Sequence, residues 1–165
     1  MKALDIKPHE LDTLKKLMPV ICLSIPWEIY FYSNYSTGWG IKFSVFYANF
    51  DDIYGTIFVD LIQQSSLLSY GGFLPSVRTL GWIFAAILCI ALAIYELSKE
   101  NIELELETRT TAHILILCGI LTFISSIAVW NSSFKTLPIA PFFFLAFGYL
   151  LLVSDKNSST VKEED

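Results

Sequence analysis

Residues 76–97 read SVRTLGWIFAAILCIALAIYEL, and how this stretch is read decides the class of the chain. It is 22 residues with almost no charge. About 20 consecutive apolar residues are what a helix needs to cross the hydrocarbon of a bilayer. Its small residues (Gly81, Ala85, Ala86, Ala91 and Ala93) would let neighbouring helices approach closely in lipid.

Working outward, three more apolar runs stand at about 17–32, 111–130 and 137–153. The whole chain agrees with them. Of its 165 residues 54% are hydrophobic and only 16% charged, where soluble domains carry about 25%. Mean hydropathy is +0.55. The length allows one domain. The expected fold is therefore all-α: a four-transmembrane-helix bundle over 1–153, with a partly helical outer cap over 33–75. A disordered cytoplasmic tail would follow over 154–165.

The first run is short. It contains Pro19 and Pro26, which predict a kink near Ser24–Pro26. It follows a charged, amphipathic segment with Pro8 near its start, and no small-x-small cleavage site comes after it. It reads as a retained anchor. In the cap, Asp51 and Asp52 would cap an amphipathic helix whose apolar face holds Ile53, Ile57 and Leu61, ended by Gly71-Gly72. Pro138 and Pro141 fall in the first turn of the fourth span. Between spans two and three, Ile102, Leu104 and Leu106 alternate with Glu103, Glu105 and Glu107. That pattern reads as a strand, or as helix ends extending beyond the bilayer.

Lys and Arg set orientation. The N-terminus, the 98–110 connection and the tail hold eight of them, while Lys42, Arg78 and Lys135 lie on the other side. Both termini are thus expected in the cytoplasm of a multi-pass cell-membrane protein. Trp27, Trp39, Trp82 and Trp130 all fall at the outer interface, where an indole keeps its N–H wet and its body in lipid. Sequons at Asn34 and Asn131 also lie outside, though Asn157 begins a third inside.

Glu28 is the most informative single residue, because a carboxylate at membrane depth is costly and is paired or functional. Arg78 and Lys135 lie at a similar level. A Glu28–Arg78 pair would clamp two helices at the outer rim; the alternative is a polar pocket that binds a head group or handles protons. His113 reads as a helix-end histidine rather than a haem ligand. Cys22, Cys89 and Cys118 form no Cys-x-x-Cys pair and read as buried small hydrophobes. No P-loop, HExxH, nucleophilic triad or dinucleotide fingerprint is present. No basic stripe suggests nucleic acid. No metal or cofactor is expected.

Ile25-Pro26-Trp27, Gly38-Trp39-Gly40-Ile41, Phe73-Leu74-Pro75 and Leu137-Pro138 together resemble a family of small archaeal four-helix membrane proteins of unassigned function. That resemblance implies architecture and no activity. A long aromatic first outer loop, Arg78 opening span two and Trp130 closing span three also resemble claudin-like tetraspan proteins. Trp27 and Gly38-Trp39 echo the Trp…Gly-Leu-Trp part of that family's loop pattern, but its two cysteines are missing.

The function expected from these features is non-enzymatic. The chain would be a scaffold, an accessory subunit or a module that binds a partner or lipid through its aromatic outer cap. Its partners would be the bilayer and another membrane protein or a second copy. A small transporter or channel around Glu28, with Ser125 and Ser126 as further polar groups, is the alternative. A lipid-modifying enzyme comes third.

Overall fold

The computed structural model describes residues 8–66, 68, 72–99 and 106–161. The chain opens with helix α1 (Pro8–Ser24). Proline suits a first helical position, and the helix continues through Pro19. It stops at Ser24 because Pro26 disfavours helical backbone at the residue before it. Strands then run β1 (Glu28–Ser33), β2 (Thr37–Lys42), β3 (Phe46–Asp51) and β4 (Gly55–Asp60), followed by a short α2 (Leu61–Ser66). The long α3 (Phe73–Ser98) and α4 (Thr108–Ile127) come next, then β5 (Phe134–Pro138) and α5 (Ala140–Val161).

The strands form one antiparallel sheet in the order β4-β3-β2-β1-β5. The segments between α1 and α3 and between α4 and α5 therefore meet in one layer. Their sequences are rich in Tyr, Phe, Ile and Val, which fit a pleated surface. The β3–β4 turn is made by Asp51, whose Oδ1 accepts from the N–H groups of Ile53 (2.8 Å) and Tyr54 (2.9 Å). Gly55 closes it at φ +72°, a left-handed conformation that a side chain would strain. Hydrogen bonds from Ser36 Oγ and the Tyr54 N–H help bring the Asp51 carboxyl down to about 2.

Register decides which residues look inward. Glu28, Tyr30 and Tyr32 of β1 stand opposite Lys42, Gly40 and Gly38 of β2 and opposite Pro138, Thr136 and Phe134 of β5. These residues share one face. The alternate positions Phe31, Trp39, Phe50 and Lys135 share the other. Gly40 has a specific reason: a Cβ there would come within 2.3–2.6 Å of the Tyr30 ring, which lies across the strand.

Helices α1, α3, α4 and α5 pack around a core that includes Met18, Cys22, Ala85, Cys89, Leu115 and Phe144. Trp27 joins it edge-on to Phe144, with ring centroids 5.6 Å apart. Away from the core the helices present apolar side chains: Phe84, Ile87 and Ile94 on α3, Leu117 and Ile120 on α4, Phe142 and Tyr149 on α5. Among the described residues, α3 and α4 are long and apolar enough to cross a membrane. The apolar part of α5, Ala140–Asp155, is shorter.

The all-α, four-transmembrane-helix bundle is thus corrected on two counts. A five-stranded antiparallel sheet accompanies the helices, and two helices rather than four meet the length and composition of a span. The 17–32 run divides into the end of α1 and most of β1, because Pro26 terminates the helix instead of kinking it. The expected amphipathic helix from Asp51 is a hairpin turn, β4 and the short α2; Asp favours such turns as much as helix caps. Pro138 ends β5, and only Pro141 lies in the first turn of α5. That helix continues past 153 to Val161. The alternation at 102–105 and the stop at Gly71 fall outside the described residues.

Candidate functional site

The inward face of the sheet does not rest flat on the helix ends. Between it, the first turns of α3 and the segment after α4 lies a cavity of about 690 Å³. Tyr30, Tyr47, Trp82, Trp130 and Phe134 supply aromatic walls, and Asn34, Asn49 and Asn131 supply amides. Lys42 and Arg78 also line it.

Glu28 lies beneath them, 1% exposed. Its Oε1 accepts hydrogen bonds from Arg78 Nη2 and pairs with Lys42 Nζ at 3.2 Å. Its Oε2 accepts from Ser126 Oγ at 2.6 Å. Thus one carboxylate at the start of β1 ties together β2, α3 and α4. Further bonds fix the frame. Ser125 Oγ donates to the Arg78 carbonyl at 2.7 Å, and Thr136 Oγ1 donates to the Ser126 carbonyl at 2.8 Å.

Burial alone would raise the Glu28 carboxyl, but Lys42, Arg78 and the Ser126 hydroxyl outweigh it and hold it below the usual carboxylate range. Lys42 behaves oppositely. Burial first, then the adjacent Arg78, push its ammonium down to about 8 against the pull of Glu28.

Aromatic faces complete the cation environment. The Arg78 guanidinium carbon is 4.5 Å from the Phe134 ring centroid and 5.0 Å from that of Tyr30. Lys42 Nζ is 4.8 Å from the Trp82 ring centroid. Such contacts favour a cation by roughly 0.5–2 kcal/mol depending on desolvation. The tyrosine hydroxyls are engaged in turn. Tyr30 donates to Asn49, and Tyr47 donates to Gln64 Oε1 at 2.7 Å.

Glu28 and Arg78, which the sequence places at one level, are thus in direct contact. Lys135 is not with them. It stands opposite Phe31 on the other face of the sheet and is exposed. A single step of strand parity separates it from the cluster. Lys42 occupies the place expected of Lys135. Its signal was that it is the basic residue of the long connection, but only a strand register turns that into a position.

The tryptophans share the sheet end of the molecule and divide by role. Trp27 is buried and donates Nε1–H to the Cys22 carbonyl at 2.8 Å. Trp82 donates to the Phe43 carbonyl at 2.9 Å. Trp130 lines the cavity, and Trp39 stacks on Phe50 on the opposite face at 4.3 Å. Asn34 and Asn131 lie exposed at the cavity rim. His113 is exposed, and the three cysteines are buried and form no disulfide. Among the described residues no group of three His, Cys, Asp or Glu could hold a metal ion.

A second buried carboxylate was not anticipated. Glu96, at the far end of α3, is 0% exposed. It accepts from Thr111 Oγ1 at 2.9 Å and lies 3.7 Å from Lys99, which also pairs with Asp12.

Compared with known proteins, the chain matches no family model and no curated sequence.

Proposed function

We propose that this is a non-enzymatic, multi-pass membrane module whose cavity beneath the sheet binds a lipid-like ligand. The carrying observation is the cavity itself. It is about 690 Å³, aromatic on its walls, floored by a buried ion cluster, and set where the apolar helices meet the sheet. Volumes of a few hundred Å³, mostly apolar with a few placed polar groups, characterise ligand sites. The large apolar side chains on the outer surfaces of the helices support immersion in lipid, since soluble proteins rarely expose such continuous patches.

In this reading the sheet lies outside and the far ends of α3 and α4 lie at the cytoplasmic side. The Lys/Arg bias supports that orientation, as does the gathering of Trp27, Trp39, Trp82 and Trp130 at the sheet end.

The test is purification of the full chain in mild detergent, followed by native mass spectrometry and titration with amphiphiles. Retained lipid, or ligand-dependent emission from Trp82 and Trp130 at the cavity wall, is expected. A bare protein whose tryptophan emission responds to no added amphiphile would contradict the proposal.

A further inference from the structure

Resting on that reading of the cavity as a ligand site, we infer that its ligand carries a phosphate-type anion, which docks on Lys42 and Arg78 while the body lies along the aromatic wall. The charge count around the floor leads there. Strand β1 contributes Glu28, β2 contributes Lys42 and α3 contributes Arg78. From β3, Asp51 faces the same way, but it is engaged by Tyr32, by Ser36 and by its own turn. Strand β5 turns its Lys135 away, α2 presents the neutral Gln64, and α4 presents Ser126. Two cations therefore share one carboxylate, and a buried charge in excess is costly until an anion joins it.

Hydrogen-bond capacity gives the same answer. Arg78 and Lys42 together present more N–H donors than one carboxylate can accept, and one oxygen of Glu28 also accepts from Ser126. Both side chains line the cavity. A guanidinium offers the paired, planar donors that suit a phosphate, and an ammonium beside it adds charge. The rings of Tyr30, Trp82 and Trp130 suit an apolar or glycerol-like body. A lipid head group and a free phosphate share this anion chemistry.

The experiment uses the full chain in an uncharged detergent, read by tryptophan emission and native mass spectrometry. Three probes are titrated: short-chain phosphatidylglycerol, inorganic phosphate, and an uncharged monoacylglycerol of the same chain length. The expected result is at least about a tenfold preference for the anionic amphiphile over the uncharged one, equivalent to about 1.4 kcal/mol. Inorganic phosphate that competes only weakly supports a lipid source. Phosphate that competes fully supports a free phosphate source.

Glu28→Gln removes the competing anion and should tighten anion binding about tenfold, while Lys42→Gln should weaken it by a similar factor. Lys135→Gln, on the opposite face, should leave it unchanged. Should Glu28→Gln fail to fold, the wild-type comparison and Lys42→Gln still decide. Equal binding of the charged and uncharged amphiphiles would overturn the anion assignment and leave the cavity as a lipid site. Binding of no probe at all would overturn the lipid-site reading as well.

Discussion

A buried carboxylate sits at each end of helix α3, and the two are held differently. At the sheet end Glu28 accepts from Arg78 and Ser126 and pairs with Lys42, so both its oxygens are used and the cluster keeps one positive charge in excess. At the far end Glu96 has one oxygen bonded to Thr111, and among the described residues its Oε2 has no hydrogen-bond donor. There Lys99 bridges Glu96 and Asp12, and Lys16 approaches Asp12 at 3.8 Å. Lys15 also lies near Asp12, and Asp12, Lys16 and Lys99 are partly open to solvent. A cluster that water reaches joins helices. A buried one with two cations on one carboxylate, beside a cavity, is open to a ligand.

The most direct way to break this comparison is to make the same change at both ends. Glu28→Gln should cost about 3 kcal/mol, because it leaves two buried cations without their counter-ion. Arg78→Gln should cost at least as much and should also abolish anion binding. Denaturant or thermal unfolding in detergent would measure both. If Glu28→Gln unfolds no earlier than wild type, the carboxylate does not hold the sheet to the helices.

Next in size, Gly40→Ala places a methyl group against the Tyr30 ring and should cost about 1–3 kcal/mol, as overpacking does. It should also distort the cavity wall without changing any charge, which separates shape from electrostatics. The mirror substitution Glu96→Gln should cost only about 1 kcal/mol, since Gln keeps the bond from Thr111 and Lys99 keeps Asp12. Asp12→Asn, at a half-exposed pair, should change stability by about 1 kcal/mol or less.

A pH titration sharpens the same contrast. Lys42 releases its proton near pH 8 in the folded protein, whereas an ordinary lysine holds it to 10.5. Between those values the unfolded chain binds the extra proton, so stability of the unliganded protein should rise with pH. Anion binding should fall over the same window, as the floor loses a charge. Burial raises both Tyr30 and Tyr47 above the ordinary tyrosine range. Lys42→Gln should remove both trends; their persistence in that variant would assign them elsewhere.

The helices were far more legible in the sequence than the sheet. Residues 76–97 and 111–130 carry long, charge-free runs, and α3 and α4 coincide with them to within about three residues. The sheet hid for two reasons. Its strands are only five or six residues long, and both faces are aromatic, so polar and apolar residues do not alternate as they do on a half-solvated strand. Its turn residues, Asp51-Asp52 and Gly55, carry signals that a helix cap also uses. Two cues pointed the right way: Pro26, which forbids a helix through Ile25, and Gly38-Trp39-Gly40, glycines spaced at the strand period.

Of the site, Glu28 and Arg78 were legible because charge at membrane depth is rare. Lys42, Tyr30 and Phe134 were not, because their meeting depends on pairing across 28–42 and 28–138. No local pattern encodes that register.

The measurement closest to the central claim is the composition of lipid retained by the full chain, taken from a membrane of mixed anionic and uncharged lipids and read by native mass spectrometry. Wild type should retain anionic lipid enriched above the bulk membrane, and Lys42→Gln should lose that enrichment while remaining folded. Retained lipid that mirrors the bulk composition in both proteins would contradict the claim that the unbalanced cluster at the sheet end selects an anion.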